Sequence, residues 1–158
     1  MTALSEIYNS RIIELAASIP HGERLAHPDA SATAHSKLCG STITVDIKME
    51  DGRISEFGQQ VKACLLGQAS ASIMGREIVG STPEELHEVA ARMRQMLKAG
   101  GPPPDGRWKD LEVLQPVKDY KARHASTLLV FDAVERALEQ IEAGDKADAV
   151  AAEAGAAG

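Results

Sequence analysis

The sequence predicts an α+β fold: a small antiparallel sheet of about three strands packed against helices. Three observations carry that expectation. Ile43, Val45, Ile47 and Met49 alternate with Thr44, Asp46 and Lys48, the period of a half-buried strand. Asp51-Gly52 then supplies a tight turn into a second strand-like run. Two later stretches, opening at Thr82-Pro83 and at Ser126, repeat their apolar residues at helical spacing.

In chain order, Ile7, Ile12, Leu15 and Ala16 predict a first helix over about 4–19, closed by Pro20-His21-Gly22. Residues 23–36 read as a polar loop with a short edge strand around 31–34. Strands follow over 41–49 and 54–62. Ile54 and Phe57 have opposite parity in the second, which marks a bulge or a later start. A short helix rich in small residues covers 67–79. Thr82 as N-cap, Pro83 in the first turn and Glu85 in a capping box start the next helix. It buries Leu86, Val89, Ala90, Met93, Met96 and Leu97 and stops at Gly100-Gly101. Three consecutive prolines from Pro102 make a rigid loop, and Trp108 to Val117 form a short packed helix or turn at mixed spacing. The last helix spans 126–142. From Ala143 only Ala, Gly, Asp, Glu, Lys and Val appear, which reads as a disordered tail. The expected division is therefore one domain over 1–142 and a tail over 143–158.

With 158 residues the chain suits one ordinary domain. Its 17 basic and 23 acidic residues give a net charge of −6, which argues against nucleic-acid binding because no basic excess meets the phosphates. Only two cysteines, Cys39 and Cys64, exclude a disulfide framework. No apolar run approaches the ~20 residues of a membrane span, and the first residues do not read as a signal peptide. The expectation is a reduced, cytoplasmic protein without membrane attachment.

The two cysteines are the principal candidates for chemistry. Cys39 precedes the first strand of the hairpin and Cys64 follows the second, so antiparallel pairing brings them to one end of the sheet. Cys64 also stands just before a helix, where the positive end of the dipole favours a thiolate. Two buried thiols serving as small hydrophobes are the bland alternative. His124 lies close to the start of the last helix, placed to be a metal ligand, an acid–base group or a surface histidine near a cap. His35 stands four residues before Cys39 and reads chiefly as a solvated loop residue. His21, His27 and His87 read as exposed. Lys118, Lys121 and Arg123 form a small basic patch.

Three motifs, in order, resemble one family. Leu38-Cys39-Gly40-Ser41 leads into the alternating strand and its Asp-Gly turn. Val61-Lys62-Ala63-Cys64 leads into the small-residue helix ending at Met74. Leu111-Glu112-Val113-Leu114-Gln115-Pro116-Val117 runs on to Ala122-Arg123-His124-Ala125-Ser126-Thr127-Leu128. Together they resemble the iron–sulfur cluster assembly scaffolds of the IscU, SufU and NifU N-terminal family. The extra stretch before the third motif is more similar to the SufU branch.

That resemblance implies a SufE/NifU-like fold and a scaffold that accepts sulfur from a cysteine desulfurase. Its cargo would be iron or a nascent iron–sulfur cluster, passed to apo iron–sulfur acceptor proteins. It assigns Cys64 and Cys39 as sulfur-handling and metal-binding residues without deciding which takes the persulfide. The alternatives are a zinc-dependent sulfur transferase of the SufU type and a partner-binding module without a metal. The chain departs from the pattern at two positions. The family's third cysteine aligns with Ser126, and its aspartate two residues after the first cysteine aligns with Ser41. The histidine that precedes the third cysteine in IscU aligns with Ala125, one place after His124. Ser41, Ser126 and His124 are thus the residues from which a ligand shell beyond the two thiolates would have to be drawn, unless an external thiol completes it.

Overall fold

The computed structural model describes residues 9–37 and 40–157. The early part of the first predicted helix, including Ile7, and the Leu38-Cys39 pair lie outside the described residues. Helix α1 spans Ser10–Ala17 and is capped by Asn9, whose Oδ1 accepts the Ile12 N–H at 3.0 Å. It buries Ile12, Leu15 and Ala16. Strands β1 (Ala30–His35), β2 (Thr42–Glu50) and β3 (Arg53–Lys62) form one antiparallel sheet in that order. The edge strand read at 31–34 is thus six residues long. Asp51 and Gly52 both have positive φ, 53° and 76°, as a two-residue hairpin turn requires. The parity conflict in β3 is a bulge: Lys48 pairs with Glu56 and Met49 with Ile54, which leaves Ser55 extra. The Ser55 hydroxyl bonds the Lys48 carbonyl at 3.1 Å, and Ile54 and Phe57 both reach the core.

Helix α2 (Leu65–Glu77) begins two residues before the predicted start. Helix α3 (Pro83–Ala99) has the expected limits, with the Thr82 hydroxyl accepting the Glu85 N–H at 3.2 Å and Gly100 left-handed at φ 69°. Residues Gly106–Asp119 form a 3-10 helix. Trp108, Leu111, Leu114 and Val117 are all buried; their spacing of three is the 3-10 period, so one apolar row faces the core. Helix α4 spans Lys121–Ala157. It starts five residues before the predicted Ser126, and its helical backbone continues through the stretch read as a disordered tail. Alanine, the best helix former, dominates that stretch.

The core lies between the sheet, α2, α3 and α4, with Ile43, Val45, Ile47, Leu66, Met93 and Phe131 fully enclosed. Both sheet edges are closed. On β1, Arg136 Nη1 and Gln140 Nε2 from α4 each donate at 2.9 Å, to the Thr33 and Ser31 carbonyls. On β3, the Gln59 N–H bonds the His21 carbonyl, and Ile54 exchanges bonds with Gly80 and Ser81. The opposite face of β2 is covered by the 23–29 loop, which buries Asp46. Its carboxylate accepts from Arg24 at 2.6 and 3.0 Å, Leu25 N–H at 3.0 Å and the Ser31 hydroxyl at 2.5 Å. Burial pushes this carboxyl up, but the four bonds and the guanidinium charge outweigh it and hold the group below the ordinary range.

Candidate functional site around Cys64

Cys64 is the N-cap of α2, with φ −67° and ψ 173°. Its side chain makes no capping bond, and it is a half-buried free thiol. Gln68 secures the turn instead: its N–H bonds the Cys64 carbonyl at 2.9 Å and its side-chain amide bonds the Ala63 carbonyl at 2.8 Å. The thiol therefore stands at a rigid helix start with no structural bond to satisfy.

The hairpin register pairs Thr42 with Lys62, so the strand that follows Cys39 begins beside the strand that runs into Cys64. The loop between β1 and β2 is closed at its neck. Ser36 N–H donates to the Ser41 carbonyl at 2.8 Å, and Gly40 N–H donates to the Ser36 carbonyl at 2.9 Å. Gly40 adopts φ 70°, and Ser41 is buried. Cys39 itself lies outside the described residues, so the loop's neck, rather than its thiol, is what the structure places at this end of the sheet.

The third corner is the first turns of α4. The Ser126 hydroxyl is buried and donates to the Arg123 carbonyl at 3.2 Å. The Ser126 carbonyl abuts the first turn of α2: a Cβ on Gly67 would stand 3.1 Å from it. His124 is buried and its Nε2 lies 3.0 Å from both the Val117 and Lys118 carbonyls. Carbonyls only accept, so Nε2 carries the proton, and Nδ1 is the nitrogen with a lone pair in the neutral ring. Ala125, between them, is half-buried and lines an open cleft with His124. His35 Nδ1 bonds the Thr42 hydroxyl at 3.1 Å.

Among the described residues, no three His, Cys, Asp or Glu side chains gather to hold a metal ion. His87, read as exposed, is half-buried between α3 and α4, with Nδ1 2.8 Å from Glu135 and Nε2 3.1 Å from Glu142. The Asp46–Arg24 pair and the Arg94–Asp132 bridge were also not foreseen; neither partner pair is adjacent in sequence, so no local pattern marks them.

The chain has an α+β fold, a three-stranded antiparallel sheet with a free cysteine at the N-cap position of the helix that follows the β2–β3 hairpin. Comparison with known proteins agrees. The crystal structure of a nitrogen-fixing NifU-like protein (N-terminal) from Brucella abortus superposes with a TM-score of 0.87 at 53% identity, covering 89% of this chain and 98% of that one. A protein described as a SUF-system scaffold, from Fervidobacterium islandicum, shares the fold at a TM-score of 0.78 and 21% identity, covering 85% and 98%. The iron–sulfur cluster assembly scaffold protein IscU of Thermotoga maritima is 27% identical over 135 residues, 85% of this chain and 94% of that protein. IscU of Streptococcus pyogenes is 22% identical over 106 residues, 67% of each. A scan against protein-family profiles finds no match. The chain belongs to the IscU, SufU and NifU N-terminal family. Among the described residues, no helix is long and apolar enough to cross a membrane.

Proposed function

We propose that this chain is an iron–sulfur cluster assembly scaffold of the cytoplasm that accepts sulfur from a cysteine desulfurase and carries iron or a nascent cluster as cargo. The observation that carries this reading is the Cys64 thiol, free of structural bonds at the start of α2 and beside the neck of the Cys39 loop. The names of the curated relatives support it. In the sulfur step, a Cys64 or Cys39 thiolate attacks the outer sulfur of the desulfurase persulfide. A new S–S bond forms on the scaffold thiol, the old one breaks, and the desulfurase cysteine leaves as a thiolate. Apo iron–sulfur proteins are the receivers of the cargo. The working body is 1–142, with 143–158 an appended tail.

A resident zinc of the SufU kind fits the described donors poorly. Zinc in such a site takes four ligands from thiolate, imidazole or carboxylate. Here the serine hydroxyl at 126 is turned inward to a carbonyl, so the described donors are the Cys64 thiolate and the Nδ1 lone pair of His124, fewer than the four required. The donor set suits a transient cargo whose shell is completed from outside the chain.

The test is anaerobic incubation with a cysteine desulfurase, cysteine and ferrous iron, read by mass spectrometry and visible absorption. The expected result is a persulfide on Cys64 or Cys39 and a cluster chromophore, both lost when the two cysteines become serine. Desulfurase binding with neither persulfide nor chromophore would leave a docking module and overturn the scaffold reading. Stoichiometric zinc in purified protein, lost on Cys64→Ser, would turn the reading to the zinc transferase.

A further inference from the structure

Positive charge in this acidic chain is gathered at one end. Several cations are neutralised within the protein: Arg24, Arg76, Arg92, Arg94 and Arg107 each meet a carboxylate. Among the described residues, Lys37, Lys62, Lys98, Lys118, Lys121 and Arg123 meet none. Lys109 shares that property, but it adjoins Asp110, which Arg76 holds at the far end of α2. Topology brings the other cations together around Cys64. Lys62 ends β3 two residues before Cys64, and its register partner Thr42 opens β2 just after the loop that carries Lys37. Helix α4 points its start the same way. Arg136 bonds the Thr33 carbonyl and Gln140 the Ser31 carbonyl, so the helix and β1 run antiparallel. The helical step between those bonds is about 6 Å and the strand step about 7 Å, which keeps the two elements alongside. Lys121 and Arg123 therefore lie past the end of β1, and Lys118 precedes them in the last turn of the 3-10 helix. Ser126, one turn further on, abuts Gly67 in the first turn of α2. Lys98, in the last turn of α3, shares a cleft with Lys121. Asp119 interrupts this set, and Asp132 is held by Arg94 at 2.8 Å. The other end of the sheet has the opposite sign, with Asp29, Glu50 and Asp51 lining a groove beside the β2–β3 turn. Local folding does not account for the cations of α4. Lys121 and Arg123 occupy its first turn, which holds no acidic residue, and positive charge there opposes the helix dipole.

We propose that this cationic rim is a docking face for an acidic protein surface, and that the sulfur donor carries that surface around its persulfide. The proposal rests on the scaffold reading above for its purpose: a donor whose sulfur meets Cys64 must cover the cations that surround it. A basic donor surface would be repelled at each approach, whereas a margin of carboxylates is drawn in and oriented. The lysines are exposed and flank the thiol at the rim of the face. Their effect therefore falls on the rate of association and its salt dependence more than on the lifetime of the complex.

The test is stopped-flow association with the cognate cysteine desulfurase over a range of salt concentrations. Two double variants invert the rim independently, Lys62→Glu with Lys121→Glu and Lys37→Glu with Lys118→Glu. A third, Lys48→Glu with Lys109→Glu, makes the same change of net charge elsewhere on the surface. The parent's association rate should fall as salt rises past about 0.1 M, where the screening length is about 10 Å. Each rim variant should associate roughly tenfold more slowly at low salt and lose most of the salt dependence, with its dissociation rate little changed. The third variant should follow the parent. Equal rates in the parent and the rim variants, equal slowing in the third variant, or no association at any salt concentration overturns the proposal. Persulfide and cluster formation with unimpaired association in the rim variants defeats the docking face and leaves the scaffold reading standing. Association slowed in the rim variants, with neither persulfide nor cluster formed by the parent, keeps the docking face and defeats the sulfur-acceptor reading.

Discussion

The carbonyl oxygen of Ser126 lies 3.1 Å from the point where a Cβ on Gly67 would stand, and the Ala63 Cβ lies 2.8 Å from the same point. Helices α2 and α4 meet at this glycine because it has no side chain, and the meeting fixes the first turn of the helix that Cys64 caps.

Gly67→Ala tests that contact. Helix propensity alone would gain about 1 kcal/mol, but the methyl meets backbone on one side and another Cβ on the other. A net loss of about 1–2 kcal/mol is expected from overpacking. Urea unfolding measures it, and a gain in stability would show that the two helices separate without strain.

The orientation of the first turns of α4 yields a second test. Ser126 faces inward and Ala125 faces the cleft. A thiol introduced by Ala125→Cys should react with an aromatic disulfide reagent at a rate near that of an exposed cysteine. Ser126→Cys should react at least about tenfold more slowly, because access limits the exchange. Equal rates would mean that α4 frays at its start.

Most of the fold was legible in the sequence because its periods are clean. The alternation in β2, the Asp-Gly turn, the parity break at Ser55 and the Thr82 N-cap each translated directly into structure, whereas the Glu85 carboxylate expected to close a capping box accepts from Trp108 Nε1 instead. The site was less legible, and the reason is one helix boundary. Starting the last helix at Ser126 placed His124 outside it. With the start at Lys121, residues 124 to 127 fall within the opening turns, where Ser126 and Thr127 bond back to the Arg123 carbonyl. A five-residue shift is well over one turn, so it reassigns which residues face in. Asp46 was hidden for a different reason. Alternation puts it on the outer face, and the cover there is an aperiodic loop that no pattern announces.

Two buried or half-buried charge networks give opposite pH dependence. Asp46 has a folded value below its ordinary 3.8. Its contribution is complete above 3.8 and disappears as pH falls through the folded value. Stability should therefore drop steeply in acid, and Asp46→Asn should flatten that slope while costing about 1–3 kcal/mol near neutrality. His87 is raised above 6.5, chiefly by its bond to Glu135, opposed by burial and aided by Glu142. Its contribution is complete below 6.5 and is lost as pH rises through the folded value. His87→Gln should remove that decline above pH 6.5. Melting temperature against pH reads both, and unchanged slopes in either variant would detach that network from stability.

The closed edge of β1 is the last testable feature. Ser31 and Thr33 sit on the edge strand, and their carbonyls point away from β2, where a second chain would otherwise pair. Arg136 and Gln140 occupy both acceptors from α4. These bonds are exposed, so each contributes little to monomer stability, about 0.5–1.5 kcal/mol. Their larger effect is on association. Replacing Arg136 and Gln140 together with alanine should leave the fold intact while exposing two adjacent acceptors on a strand. Light scattering during mild heating should then show concentration-dependent association at lower temperature than in the parent chain. A double variant that melts earlier but stays monomeric would mean that the two side chains pin α4 to the sheet without guarding its edge.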